Sequence, residues 1–257
     1  MVGRFSKIDR QKLDSLKGAE MLKDKVAIIT GASRGIGRAT GLAFAREGAK
    51  VVLASRTQQD LETVASLVSA HGGEALVVPT DVTRTEAAET LANRTLEAYG
   101  QIDILVNNAG IGVFETVADS DPAVWDQVVA SNLKSTYLCS KYVLPSMLAR
   151  RSGLIINVLS IAAKVAFPAS SAYCAAKAGA LAFTKVLAEE VRSENIRVTA
   201  VSPGSVDTPF WKEIDGHPDL NLMLKPEHVA ETILFVATQP DGMVTDEIVV
   251  TPPLGIL

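Results

Sequence analysis

The sequence predicts an α/β fold: a single domain built on one doubly wound, parallel, seven-stranded sheet. Three observations predict it. Seven short runs rich in Val, Ile and Leu recur along the chain, namely VAIIT, VVLAS, ALVVP, IDILVNN, LIINVL, IRVTAVS and DEIVV. Helical patterns lie between them, and such alternation means a parallel sheet with helices on both faces. A chain of 257 residues, 47% of them hydrophobic, can bury one large core and hold a single open-sheet domain.

Residues 1–24, ahead of the first run, are polar with scattered Leu and Met, and read as an N-terminal extension: a short docking helix or a frayed segment. The domain proper then spans residues 25–257. Its first apolar run, from Val26 to Ile29, leads at once into Thr30-Gly31-Ala32-Ser33-Arg34-Gly35-Ile36-Gly37 and the helical pattern RATGLAFAREG. Strand, glycine turn and helix form a dinucleotide-binding signature. Glycines let the backbone turn tightly and approach a pyrophosphate, and the free N–H groups and dipole of the helix attract its charge. By itself, such a turn also serves as a tight strand-to-helix connection.

The second run ends at Ser55-Arg56. The third is followed by Asp81-Val82-Thr83 ahead of a helix beginning near Arg84, where Asp81 fits an N-cap. The fourth ends at Asn107-Asn108-Ala109-Gly110. WDQVVASNLKSTYLCSKYVL then reads as a helix containing Asn132, a residue type that competes for backbone hydrogen bonds in helix interiors, so a compensating interaction is expected there. The fifth run ends at Ser160. SAYCAAKAGALAFTKVLAEEV reads as a helix with Tyr173 and Lys177, four positions apart, on one face. An ammonium beside a phenol favours the phenolate, and lowering a tyrosine from about 10 to near 7 needs roughly 4 kcal/mol, within reach of one close cation plus a second positive group. The product is a general acid usable at neutral pH. Alone, the same pair also fits a core-edge tyrosine and a solvated lysine. The sixth run leads into Pro203-Gly204-Ser205-Val206-Asp207-Thr208, and the last continues as EIVVTPPLGIL.

A net charge of −4 and a pI near 5.5 give no reason to expect nucleic acid or an anionic membrane as partner. Cys139 and Cys174 lack metal-like spacing and read as small buried residues in a reducing compartment; no metal site is expected. The chain shows neither a bilayer-length apolar stretch nor a signal-peptide core, so a cytoplasmic address is expected.

TGASRGIG, Asn107 to Gly110, Ser160, Tyr173-x-x-x-Lys177 and Pro203-Gly204 together resemble the short-chain dehydrogenase/reductase family over about residues 24 to 250, with the serine thirteen positions before the tyrosine. The resemblance implies a Rossmann-type sheet of order 3-2-1-4-5-6-7 and ligands at the carboxyl ends of the strands. It also implies catalysis by Asn132, Ser160, Tyr173 and Lys177. Tyr173 would protonate the oxygen of a carbonyl receiving hydride, Ser160 would hydrogen-bond that oxygen, Lys177 would hold the nicotinamide ribose, and Asn132 would join a water relay to the lysine. Implied cofactor contacts are Gly31, Ser33, Arg34, Gly35, Ile36 and Gly37 in the turn, then Ser55, Arg56, Asp81, Val82, Asn108, Ala109 and Gly110. Tyr173, Lys177, Pro203, Gly204, Val206 and Thr208 complete the set. Asp81 resembles the adenine-binding residue, Asn107 the one that steadies its strand, and Thr208 the hydroxyl for the nicotinamide carboxamide; Thr208 also fits an ordinary turn residue.

Cofactor choice follows from the loop after the second strand. No carboxylate stands at Ser55 to repel a 2′-phosphate, while Arg56 and Arg34 offer cations, so NADP(H) is expected over NAD(H). Reduction of a small ketone or aldehyde is therefore the expected activity. Phe167, Phe210, Trp211 and Leu222 suggest an apolar pocket or lid and equally fit core packing. Lys164 fits either a draw for acidic substrates or a solvated lysine, and His217 and His228 receive no role. Lacking a terminal Asp-Gly-Gly and a long segment after Thr208, the chain is more similar to carbonyl reductases and small hydroxy-acid or serine-type dehydrogenases than to 3-oxoacyl reductases. The second class of function is an NADP(H)-binding sensor or assembly subunit without turnover. On resemblance, a homotetramer is expected through the helices near 122–150 and 171–193.

Overall fold

The computed structural model describes residues 21–211, 214, 219–240 and 242–255. Residues 1–20, most of the N-terminal extension, lie outside them, as does His217. The first half runs β1 (Val26–Thr30), α1 (Gly35–Arg46), β2 (Lys50–Ser55), α2 (Gln58–Ala70), β3 (Glu74–Pro79) and α3 (Thr85–Tyr99). The second runs β4 (Ile104–Asn107), α4 (Pro122–Val129), a π-helical turn (Ala130–Lys134), α5 (Ser135–Arg150), β5 (Gly153–Val158), α6 (Ser171–Val191), β6 (Ile196–Pro203), α7 (Pro226–Ala237) and β7 (Glu247–Val250). Every neighbouring pair is parallel, in the expected order β3-β2-β1-β4-β5-β6-β7.

Successive strand residues face opposite sides, which divides the core in two. Ala27 and Ile29 of β1 join Phe44 of α1, Leu61 and Val68 of α2 and Ile233 of α7. Val26 and Ile28 join Leu91 of α3, Leu138 and Met147 of α5 and Leu187 of α6. Each of these large side chains contributes about 1.5–3 kcal/mol by leaving water. Leu22, on the extension side of residue 25, is 2% exposed within the first cluster, and its N–H donates to Glu47 O at 2.8 Å. Cys139 is buried, which pushes its thiol up to about 12, and Cys174 donates to Val165 O at 3.7 Å.

Two local readings change. Asp81 does not cap α3, whose N-cap is Arg84. Its Oδ1 accepts from Thr83 N at 3.0 Å and Thr83 Oγ1 at 2.7 Å, closing an Asx turn just before the helix. The helix through Asn132 is also not uniform. Asn132 Nδ2 donates to Val128 O at 2.8 Å, the carbonyl that its own N–H would use in a straight α-helix, and the ladder widens into the π turn. A second bond to Ile111 O, at 2.7 Å, is the compensation the sequence calls for.

Because β1 lies between β2 and β4, the chain reverses its direction of winding there. A crevice therefore opens beyond Thr30 and Asn107, at the carboxyl ends of β1 and β4.

Candidate active site

The glycine turn leaves β1 through Gly31 at φ +65°, in the left-handed region. A Cβ at Gly37 would strike the Gly31 carbonyl oxygen and the Asn108 side-chain amide. Asn108 clamps the turn, its Nδ2 donating to Thr30 O at 3.0 Å and Gly31 O at 3.3 Å. Thr30 Oγ1 accepts from Asn108 N at 3.0 Å and Ala109 N at 3.1 Å, tying the end of β4 to the end of β1. Below it, Asn107 Nδ2 donates to Ser140 Oγ and to Asn157 Oδ1, fixing β4 to α5 and β5. Helix α1 then begins with Arg34 as an extended N-cap that makes no side-chain capping bond. Its first N–H groups are thus available to an anion.

Around this cradle stand the other predicted positions. Ser33 and Ile36 are partly covered in the turn, Gly35 lies against Thr208, and a Cβ on Gly35 would lie 3.2 Å from the threonine methyl. Thr208 Oγ1 also accepts from Phe210 N at 3.4 Å, so it serves as a turn residue as well. Pro203 ends β6, Gly204 N donates to Val250 O at 2.8 Å, and Val206 bridges to Leu224. At the end of β2, Ser55 Oγ is buried without a hydrogen-bond partner, while Arg56 and Arg34 are exposed. The Thr83 hydrogen bonds, with Arg56 and Arg84 adding to them, hold the Asp81 carboxyl below its ordinary range. Val82 beside it is buried. The residues fit a dinucleotide: a glycine turn and an uncapped helix end stand at the crevice, and the buried Ser55 hydroxyl at the end of β2 lacks a partner.

Beyond β5, Ser160 Oγ accepts from Ala162 N at 3.1 Å, which leaves its proton to donate. Its hydroxyl lies near enough to Tyr173 to favour the phenolate. Lys177, one turn further along α6, is 5% exposed; its Nζ donates to Val158 O at 3.1 Å and lies 5.7 Å from the centre of the Tyr173 ring. The remaining face of this pocket belongs to Asn132, whose buried Oδ1 has no partner and abuts Gly110. A Cβ on Gly110 would also lie 3.7 Å from Lys177 Nζ, so the orphaned oxygen and the ammonium share one small space. The four residues named by the sequence therefore converge.

Their electrostatics differ from the expectation. Burial pushes Tyr173 up to about 12, only partly opposed by the nearby Ser160 side chain, rather than down toward 7. Burial likewise brings Lys177 down to about 8. The cause is shared: removing water disfavours phenolate and ammonium alike, and the lysine spends its hydrogen bond on a backbone carbonyl.

Phe114 is a member of the site that sequence reasoning missed. Its ring centre lies 5.9 Å from that of Tyr173, and Phe210 is 5.8 Å from the same ring. The segment after β4 carries no periodicity that would single it out. Phe167 and Leu222 make no ring or core contact of this kind among the described residues. Lys164 instead pairs with Glu247 at 2.9 Å. No group of three His, Cys, Asp or Glu suited to a metal occurs among the described residues, nor any helix long and apolar enough to cross a membrane.

The family model described as short chain dehydrogenase matches residues 25–219. The chain belongs to that family. This short chain dehydrogenase is 39% identical over 225 residues to a 3-oxoacyl-acyl-carrier-protein reductase of Synechocystis sp., covering 85% of the chain and 91% of the relative. An uncharacterized oxidoreductase of Staphylococcus aureus is 36% identical over 232 residues, with 90% and 99% covered. Among solved structures, a metagenomic short-chain oxidoreductase in complex with NADP superposes with a TM-score of 0.81 at 36% identity, covering 90% of this chain and 98% of that one. An alcohol dehydrogenase from the archaeon Thermococcus sibiricus, complexed with 5-hydroxy-NADP, gives 0.83 at 29% identity, with 89% and 97% covered. Overall identity thus does not separate the chain from the 3-oxoacyl reductases.

Proposed function

We propose that the protein is an NADP(H)-dependent reductase of small ketones or aldehydes, working reversibly through Asn132, Ser160, Tyr173 and Lys177. The observation that carries this reading is the convergence at the crevice end of the sheet: the Ser160 oxygen fixed by Ala162 N, and Lys177 Nζ 5.7 Å from the centre of the Tyr173 ring, beside the partnerless Asn132 Oδ1. Bound in the glycine cradle, NADPH would supply hydride from C4 of its nicotinamide to the carbonyl carbon. The α1 N-terminus and the turn from Gly31 to Gly37 would hold its pyrophosphate, with Asp81 and Val82 at the adenine. Arg34, Arg56 and the partnerless Ser55 hydroxyl would receive the 2′-phosphate, in line with the two NADP-type complexes among the similar structures. Asn108 to Gly110, Pro203, Gly204, Val206 and Thr208 would line the nicotinamide half.

Tyr173 and Ser160 donate to the carbonyl oxygen as it becomes negative. Because burial raises it, the Tyr173 phenol stays protonated at neutral pH, which is the form that donates to the nascent alkoxide in reduction. Alcohol oxidation calls instead for the phenolate, which burial disfavours. Lys177 would hold the ribose, and Asn132 Oδ1 would accept a hydrogen bond from water returning the proton. The same reading includes a homotetramer packed through the helices over 122–150 and 171–193, whose outer faces leave Tyr137 and Val186 exposed.

The test is NADPH oxidation with a panel of ketones, aldehydes, 3-keto esters and 3-oxoacyl thioesters, beside NADH and a Tyr173→Phe control. Turnover should fall by roughly 10²–10⁴-fold in the variant, with NADPH affinity kept. Tight NADPH binding with no turnover across the panel would shift the reading to a binding protein.

A further inference from the structure

We infer that Phe114, with Phe210 and Trp211, is the specificity-determining surface of this site and that it selects aryl ketones or aryl aldehydes, an inference resting on the carbonyl-reductase reading above.

The three rings form one cluster against Tyr173. Phe114 meets Phe210 edge-on at 6.0 Å and 81°, and Trp211 nearly parallel at 6.4 Å and 7°. Phe210 meets Trp211 at 5.4 Å and 80°. Phe114 and Phe210 both lean on the Tyr173 ring, at 54° and 50°. A carbonyl oxygen held by Tyr173 and Ser160 thus directs one substituent onto these rings.

Both ring-bearing segments are held in place. A β-bridge joins Glu115, next to Phe114, to Ser170 at the start of α6. Just ahead of Phe210 and Trp211, Val206 bridges to Leu224, Asp207 N donates to Leu224 O at 2.8 Å, and Asp207 pairs with Lys225 at 2.8 Å. Trp211 Nε1 donates to Val206 O at 2.9 Å. The two segments also interlock: a Cβ on Gly112 would strike the Phe210 ring, so the glycine is what lets that ring come up against the backbone at 112. The surface is preorganised, and ordering it costs an incoming substrate little.

Ring chemistry decides the class. An aryl group conjugated with its carbonyl is a flat slab that meets these rings in the same tilted and edge-on geometries they adopt with each other, adding quadrupolar attraction to burial. A saturated ring of equal size gains burial alone. The amide-rich arm of a carrier-bound thioester would give up hydrogen bonds to water against ring faces that return none.

The experiment compares acetophenone with cyclohexyl methyl ketone, which share a carbon skeleton, in wild type and Phe114→Leu, with 1-phenylethanol and 1-cyclohexylethanol binding to the NADP-loaded protein measured in parallel. The ratio of kcat/KM for the aryl over the saturated ketone should fall about tenfold in the variant while NADPH affinity stays unchanged. An unchanged ratio, or a 3-oxoacyl thioester preferred over both ketones, overturns the inference. If no carbonyl turns over, the reductase reading fails and the alcohols decide: preference for 1-phenylethanol that Phe114→Leu abolishes supports the aromatic surface, and equal binding refutes it. Should that variant not fold, Phe210→Leu carries the same readout.

Discussion

Replacing Lys177 by Met should remove one particular slope from the dependence of stability on pH. The lysine is 5% exposed, and burial brings it from 10.5 down to about 8. Between those values the unfolded chain holds a proton that the folded chain has released, so wild-type stability rises with pH across this window. Below pH 8 the burial penalty is present in full, and the drop from 10.5 to about 8 makes it about 3 kcal/mol. Met fills similar space without a charge and carries no such penalty. It also forfeits the bond from Nζ to Val158 O, a loss of about 1 kcal/mol that does not vary with pH. Urea unfolding of both proteins at pH 6.5 to 10, at one protein concentration, measures the difference. Wild type should gain on the variant by about 2–3 kcal/mol over that range. Tyr173, raised to about 12, costs stability only as pH climbs past 10, and does so in both proteins. Parallel stability curves would refute the argument, since they would mean that the lysine keeps its ordinary affinity for protons inside the fold.

Two further outcomes test the cofactor cradle. Gly37→Ala should lose about 100-fold or more in NADPH affinity by calorimetry, because its Cβ collides with the Gly31 carbonyl and Asn108 and forces the turn open; native affinity would show that the turn does not hold the pyrophosphate. Arg56→Ala should lower the preference for NADPH over NADH about tenfold while leaving NADH affinity unchanged, and equal losses for both cofactors would place the arginine away from the 2′-phosphate.

The sheet was legible because each strand is a short β-branched or Leu-rich run whose burial is set by its own composition: VAIIT is β1 residue for residue, and the helix drawn from Ser171 to Val191 is α6. Helical spacing put Tyr173 and Lys177 on one face of α6, while the place of Ser160 beside them was legible only through the family resemblance, with its thirteen-residue spacing to the tyrosine. What was not legible depends on contacts between distant segments. Phe114 reaches Tyr173 only because Glu115 pairs with Ser170, a bridge that no local pattern announces. The proton affinities of Tyr173 and Lys177 went astray because spacing reveals the neighbour and conceals the loss of water around both. Asp81 carried too weak a local signal to distinguish a cap from a turn two residues long.

The π turn at Ala130–Lys134 separates the shaping of the site from the packing of the core. It takes one residue more than an α turn to complete its circuit of the axis. The helix that leaves it therefore keeps the register of an unbroken α-helix, and Leu138, Val143 and Met147 stay against the sheet. The surplus residue is taken up at the crevice, where the Val128 carbonyl meets the Asn132 side chain. The placement of the asparagine and the buried helix face are thus set independently.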